Sequence, residues 1–507
     1  MYEIQGKRRG GIVRIQTNLK MKVRHPRLKI VTISLIVHAF VLYLLPFGNA
    51  NGDNGMAIPE GDNAAKPRIP IAEQLHLINL NRACNARKGY LISSSFDAET
   101  VDAGVDGLYG RDDPRLPELL ARCPVIDVHM SEEDWNHGYC EDTMAYVKYL
   151  DTRIVPTWVY ETAFNISGTP TTYFELCPHT AVLMMNHYWD GLPERPDWPS
   201  TKKLLVMPNP EMGHMRQNHY FRLNEVICKS RDCHARHLDW FRIWGNPQNA
   251  RVWYTRHIST NLSLIADMKV SNGSIASLKQ KNFGKGLYMM HSQGKSIFKG
   301  TSSIIRCWKH RPNLPHLNLV GADVKDRVQD EFKQEIVQRN LDYAQAKFSE
   351  VELSILHAEA PVQLCPSEME GFGHYINQAR AAGALLLTTD HAPMNELVTN
   401  ETGVLVKGVV ISGEGQMLGP GSGTNFGLED WIGMHVQVPW QELCRGVDII
   451  VKMSPEERQR RAEAVQKAYV EDALFFKASM KEMKKILAQE QLERMALEAA
   501  FSKVTLP

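Results

Sequence analysis

Two short runs combine glycines and charged side chains in a pattern suited to holding phosphate and sugar oxygens. The first is Pro366-Ser367-Glu368-Met369-Glu370-Gly371-Phe372-Gly373. It lies between the apolar run Val362 to Leu364 and a helical pattern that begins near His374. A helix start presents free N–H groups and a positive dipole end, which favour anionic oxygens. Two carboxylates just before it can orient hydroxyls. The second run is Gly294-Lys295-Ser296-Ile297-Phe298-Lys299-Gly300, after the apolar run Leu287 to His291. Its two lysines can hold a diphosphate and stabilise the charge that develops on it as it leaves. The Gly-Lys-Ser within it invites a P-loop reading. That motif needs a glycine five positions before Gly294, and residue 289 is Met.

Other clusters are less specific. Asn209 and Glu211 follow the strand-like run Leu204 to Met207, and His187 follows Ala181 to Met185. These three are candidates for an acceptor side. Cys228, Cys233, His234 and His237 match no standard zinc spacing and read as a surface cluster or a Cys228–Cys233 disulfide. The chain has no Asp-x-Asp, and no metal ligand is assigned.

The elements that must position these residues alternate. Helical patterns cover Ile71 to Arg87, Asp142 to Leu150, Thr301 to Trp308, Lys325 to Lys347, His374 to Ala382, Pro439 to Lys452 and Ser454 to Gln489. Strand-length apolar runs include Val125 to His129, Leu317 to Val320, Ala384 to Thr388 and Val404 to Val406. Short apolar runs between helices predict parallel sheets covered on both faces. Two such series in succession predict an α/β chain of two Rossmann-like domains with a ligand cleft at the carboxyl ends of their strands.

The run around Glu370 resembles the E-x7-E segment of the retaining glycosyltransferase group 1 (family 4) type, a two-Rossmann-domain (GT-B) architecture. Those enzymes carry P-S-x-x-E-G-F-G, a helix ending A-x-G, an apolar strand and a loop ending in Glu. The matching residues here are Pro366-Ser367, Glu370 to Gly373, Ala379 to Gly383, Ala384 to Thr388 and Asp390 to Glu396. The resemblance implies that Glu370 lies beside a donor sugar and that Lys295 and Lys299 grip its diphosphate. It also implies donor contacts from Gly294, Ser296, Glu368, Gly371, Phe372, Gly373, Met394, Asn395 and Glu396. The second Glu of the motif, which binds ribose in the family, is Gln378 here. The implied donor is a UDP- or GDP-sugar with no further cofactor, and the acceptor a glycan, protein or lipid. The implied plan is an acceptor domain over 71–280, a nucleotide-sugar domain over 281–450 and helices crossing back over 451–507. A second reading of the same residues is a nucleotide-sugar or glycan-binding protein of that fold without full activity.

Charge and hydropathy add a compartment. Residues 1–29 hold nine Lys and Arg against one Glu, and the rest hold 49 basic and 56 acidic side chains. A mildly acidic body argues against nucleic-acid binding. Ile30 to Phe47 contains no charged side chain and is 18 residues long. A membrane-spanning helix needs about 20, and lysines and arginines before it keep the N-terminus cytoplasmic. The expectation is a basic tail over 1–29, a signal-anchor over 30–47, a stem over 48–70 and a lumenal body in the Golgi or endoplasmic reticulum. Gly48 and Ala50 also permit a cleaved signal and secretion. Asn165, Asn261, Asn272 and Asn400 are glycosylation sequons for such a body. Nine cysteines leave at least one unpaired within the chain.

Overall fold

The computed structural model describes residues 68–102, 104–132, 135, 138–294, 296–321, 340–344, 348–411, 417–419 and 426–504. The expected tail, anchor and most of the stem lie outside the described residues, as does Lys295. No helix among the described residues is long and apolar enough to cross a membrane.

The first lobe begins with helix α1, Ile71–Ala86. Strands β1 (Leu91–Ser93), β2 (Leu108–Tyr109) and β3 (Ile126–His129) follow, then helix α2 (Tyr139–Tyr149) and strand β4 (Arg153–Val155). After a small hairpin, β5 (Ala163–Ile166) with β6 (Thr169–Thr172), come β7 (Ala181–Asn186), β8 (Leu204–Pro208) and β9 (Glu225–Cys228). Helix α3 (Arg231–Trp244) and strand β10 (Arg251–Tyr254) complete the lobe's sheet. The strand order is β10-β9-β8-β7-β3-β4-β1-β2. Neighbours from β10 to β4 run parallel, and β1 is antiparallel to both β4 and β2. Every residue of β7, β8 and β9 is buried, as expected for parallel strands covered on both faces.

The second lobe carries β11 (Tyr288–Gly294), helix α4 (Thr301–His310), β12 (His316–Gly321), β13 (Leu341–Ala344) and β14 (Val362–Cys365). Helix α5 (His374–Ala381), β15 (Leu385–Thr389) and β16 (Gly403–Val406) follow. Its six strands are all parallel in the order β13-β12-β11-β14-β15-β16. That is the 3-2-1-4-5-6 order of a doubly wound sheet, whose switch point falls between β11 and β14. A short ribbon pairs β17 (Val409–Ile411) with β18 (His435–Gln437), and helix α6 covers Trp440–Lys452. One expectation is corrected: Leu341–Ala344, placed within a long helix, is a strand. Parallel pairing along β12 decides it, because that ladder outweighs a local helical preference.

Helix α7, Pro455–Val504, starts at Ser454, whose side chain accepts the Glu457 N–H at 3.2 Å. Ala462 packs in the second lobe's core. Tyr469, Ala473, Phe476, Met480, Met483 and Leu487 pack in the first lobe's core, spaced alternately by four and three along one face. One helix therefore spans both cores, and it runs fifteen residues beyond its expected end at Gln489. A second tie runs the other way. Met417, Leu418, Leu428 and Met434 join the first lobe's core, and Arg236 of α3 donates to the Ile432 carbonyl at 2.7 Å.

Disulfides join Cys84 to Cys140, Cys123 to Cys177, Cys228 to Cys233 and Cys307 to Cys444. Cys365 is reduced and buried.

Candidate functional site

The loops after β11 and β14 meet at the switch point of the second sheet. The Glu368 N–H donates to the Phe298 carbonyl at 2.8 Å. Gly300 has φ of 66°, and a Cβ there would strike the Pro366 carbonyl, so only glycine lets the two loops approach. This junction places Lys299 on Glu370 as an ion pair. Ser367 Oγ also donates to Glu370 and lies 2.6 Å from Tyr375 Oη. The Lys299 ammonium stands over the Tyr375 ring, 4.3 Å from its centroid. Burial pushes the Tyr375 phenol well above its ordinary range and raises the Glu368 carboxyl. Lys299 and Glu370 keep only 16% and 11% side-chain exposure, so the pair is largely shielded from solvent screening.

The first lobe answers with its own strand ends. Glu211, beyond β8, reaches Gly371, and a Cβ at Gly371 would strike its carboxylate oxygens. The lobes approach closely here, and a side chain at 371 would displace the Glu211 carboxylate. Burial pushes the Glu211 carboxyl up to about 7, against the pull of Lys229. His187, beyond β7, lies 2.9 Å from Tyr139 Oη through Nε2 and 3.0 Å from His214 through Nδ1. Burial lowers its pKa to about 4, so it is neutral near pH 7.

Beneath these lies a polar network that the sequence did not announce. Asp142 of α2 accepts from Lys229 at 3.0 and 3.1 Å and pairs with His374 of the second lobe at 3.0 Å. His257 Nε2 stands 3.0 Å from the same carboxylate. Lys229 also donates to Asn209 at 2.7 Å, and Ser259 Oγ lies 2.8 Å from His374 Nδ1. Burial alone would raise the Asp142 carboxyl, but Lys229 and His374 hold it well below the usual carboxylate range. Asp142, His257 and His374 are close enough to ligate a metal ion. The Lys229 ammonium already supplies the compensating charge there, so this donor set does not call for a metal.

The remaining expected residues are distributed unevenly. Gly294 ends β11, and Ser296 lies on the loop that follows, where its Oγ accepts the Phe298 N–H at 3.2 Å. Phe372 and Gly373 are buried beside Gly371. Gln378 donates to Glu141 of the first lobe at 3.1 Å, which commits its amide to a contact between lobes. Asn395 bonds Asp390 at 3.2 Å. Glu396 accepts the N–H groups of Arg231 and Asp232 at 2.6 and 2.8 Å, satisfying the exposed start of α3. Met394, expected among the donor contacts, is fully buried in a cluster with Cys365, Phe372 and Ile376. An unbranched apolar side chain gains more from that core than from a polar cleft. Asn165, Asn272 and Asn400 are exposed, and Asn261 is half-buried with its Oδ1 accepting from Ser263.

Sequence reasoning missed Asp142, Lys229, His257 and His374 as a group. The only local signals were their positions, at strand ends, at a helix start and directly after Gly373.

No protein-family model matches the chain, and no curated protein matches it. Among solved structures, the chain is similar to sucrose-phosphate synthase from Thermosynechococcus elongatus at 13% identity and TM-score 0.46, over 75% of this chain and 100% of that one. It is similar to α,α-trehalose 6-phosphate synthase from Burkholderia multivorans at 11% identity and TM-score 0.40, over 64% and 72%. It is also similar to Anabaena HepE, solved with UDP and glucose, at 13% identity and TM-score 0.42, over 61% and 78%. Likenesses this partial bear on neither the donor nor the acceptor of this chain.

Proposed function

We propose that the chain is a glycosyltransferase that moves a sugar from a UDP- or GDP-sugar to a glycan, protein or lipid acceptor, with retention and without a metal. The observation that carries this reading is the meeting of Lys299 and Glu370 at the β11/β14 switch point, where doubly wound sheets bind nucleotides.

The donor's diphosphate competes with Glu370 for the Lys299 ammonium. Glu370, so released, is an acceptor for a sugar hydroxyl. In the transfer the anomeric C–O bond to the diphosphate breaks, and an acceptor hydroxyl oxygen bonds that carbon. Lys299 stabilises the charge left on the diphosphate. Retention requires the acceptor to arrive on the face from which the diphosphate leaves. The departing phosphate oxygen is then the nearest base for the acceptor proton. Glu211 and His187 form the facing acceptor wall, and Gln378 and Glu396 tie the lobes around it.

Incubation of residues 68–507 with a panel of nucleotide-sugars tests the reading. Donor turnover that is lost in Lys299→Ala supports it, and absence of both binding and turnover for every donor rejects it. Binding without turnover favours the second reading, a sugar-nucleotide-binding protein, for which the Gln378–Glu141 bond is the supporting feature. We extend the proposal to a lumenal body anchored by residues 30–47. A mass decrease of the full chain on glycosidase treatment is the expected result.

A further inference from the structure

The first lobe's strand ends leave one buried amide with nothing to bond. Asn186 ends β7 and is 1% exposed, and neither its Oδ1 nor its Nδ2 has a hydrogen-bond partner. An amide desolvated in this way is costly, and a group that both donates and accepts removes the cost. Asn186 also holds φ at 64°, in the left-handed region. Such positions concentrate at ligand sites.

Asn186 borders a cavity of about 10 Å³ whose walls include Asn209, His214, Tyr220, Met417 and Leu418. That space holds about one water-sized group. A hydroxyl fits it in size and in chemistry, because its O–H donates to Oδ1 and its oxygen accepts from Nδ2. This hydroxyl is not the one that reacts. None of residues 296–300 or 366–373 borders the cavity, and the anomeric carbon of a donor must lie beside those loops. The acceptor therefore carries at least two hydroxyls, one held by Asn186 and one that reaches the donor. A serine side chain or a lipid alcohol offers only one.

The neighbouring charges restrict the acceptor further. Between residues 208 and 229 the lysines and arginines are Arg216, Arg222 and Lys229. Each is paired with a carboxylate, of Asp190, Glu194 and Asp142 in turn. An acceptor phosphate would have to compete with a carboxylate for every one of them, and Glu211 in the same stretch repels it when ionised. Tyr139 and Trp189, both half-buried, pack edge-on against His187, which stands 3.0 Å from His214 of the cavity wall. Half-buried rings beside hydrogen-bonding edges suit the C–H faces of a sugar.

We propose that the acceptor is an uncharged sugar, and that Asn186 selects it by holding a hydroxyl other than the one that reacts. This rests on the transferase reading and narrows its acceptor from glycan, protein or lipid to carbohydrate.

Saturation-transfer NMR on the full chain tests the ligand class without needing turnover. The neutral probes are methyl glucoside, methyl galactoside, methyl mannoside and N-acetylglucosamine. The contrasting probes are glucose 6-phosphate, a serine-containing peptide and octanol. At least one neutral sugar binds, and the contrasting probes bind at least tenfold more weakly. Asn186→Gly keeps the left-handed backbone without strain and weakens that sugar at least tenfold. With a donor that the parent consumes, the same variant raises the acceptor KM at least tenfold and shifts the donor KM less than twofold, a split that a general structural defect does not give. Should circular dichroism show that Asn186→Gly is unfolded, Asn186→Asp, which loses the amide donor, carries the same comparisons with a threefold or greater loss. The proposal is overturned if no neutral sugar binds or if a contrasting probe binds as tightly. It is also overturned if the folded variant binds with unchanged affinity, since the cavity then holds an ordered water only. Sugar binding that depends on Asn186 with no donor consumed supports the sugar subsite and rejects the transferase reading alone. Donor consumption with no neutral sugar bound rejects the sugar subsite alone.

Discussion

The two lobes present their strand ends to the cleft in different ways. The second lobe builds its side from two loops, residues 296–300 and 366–373, each following one strand of the switch point. The first lobe builds its side from at least four separate segments, around Asp142, His187, Glu211 and Lys229 with His257. The second lobe's side is a single ion pair, Lys299 with Glu370, whose side chains keep 16% and 11% exposure. The first lobe's side is a buried ionic network around Asp142 and Lys229 that also takes in His374 of the second lobe. One side is therefore a small pair that a ligand can separate, and the other is a larger buried network that couples the site to stability.

The contrast can be broken by substitution, and the largest effect is expected in the buried network. Asp142→Ala leaves Lys229 buried without its carboxylate. It should cost about 3–5 kcal/mol in urea unfolding. A loss below about 1 kcal/mol would mean that the network is not the structural half of the site. Lys299→Ala is the matching change in the other lobe. It should lower donor turnover by about 10²–10³-fold, the effect of removing one fixed stabiliser of developing charge, while the loss of stability, about 1–2 kcal/mol, should be smaller than for Asp142→Ala because Glu370 keeps Ser367 as a donor. An equal loss of stability would erase the distinction between the lobes.

Glu211 sharpens the comparison through pH. Its carboxyl titrates at about 7 when folded, against an ordinary carboxylate value when unfolded. The folded state then holds the extra proton between those values. Stability is greatest at the acid end of that window and falls as pH rises to about 7, by up to about 3 kcal/mol. Glu211→Gln removes the loss, so it should raise the melting temperature at pH 8 and leave it nearly unchanged at pH 4. The smallest effect is at the residue that departs from the motif. Gln378→Glu restores the motif's carboxylate but sets it against Glu141, and should destabilise by about 0.5–1 kcal/mol. Glu141→Gln in the same chain should recover that loss in a double-mutant cycle.

Much of the second lobe was legible in the sequence, for a physical reason. In a doubly wound sheet each binding loop follows one strand, so glycines, carboxylates and lysines of the site sit within a few residues of an apolar run. Val362 to Leu364 and the glycines after it announced the loop that bears Glu370. The alternation of short apolar runs and helices likewise announced the α/β class. The first lobe's network was not legible, because Asp142 and His374 are 232 residues apart and meet only when the lobes pack. Leu341–Ala344 failed for a related reason, since its partner strand lies elsewhere in the chain.

By itself, then, the sequence determined the class of fold, the loops at the second sheet's switch point and the glycines those loops require. Tertiary structure alone decided that Gln378 and Glu396 spend their hydrogen bonds between lobes, that Met394 points into the core and that Glu211 faces Gly371. Local sequence sets backbone conformation and element type. The partner that a polar side chain finds depends on desolvation and on distant groups, which exist only once both lobes and the spanning helix are packed.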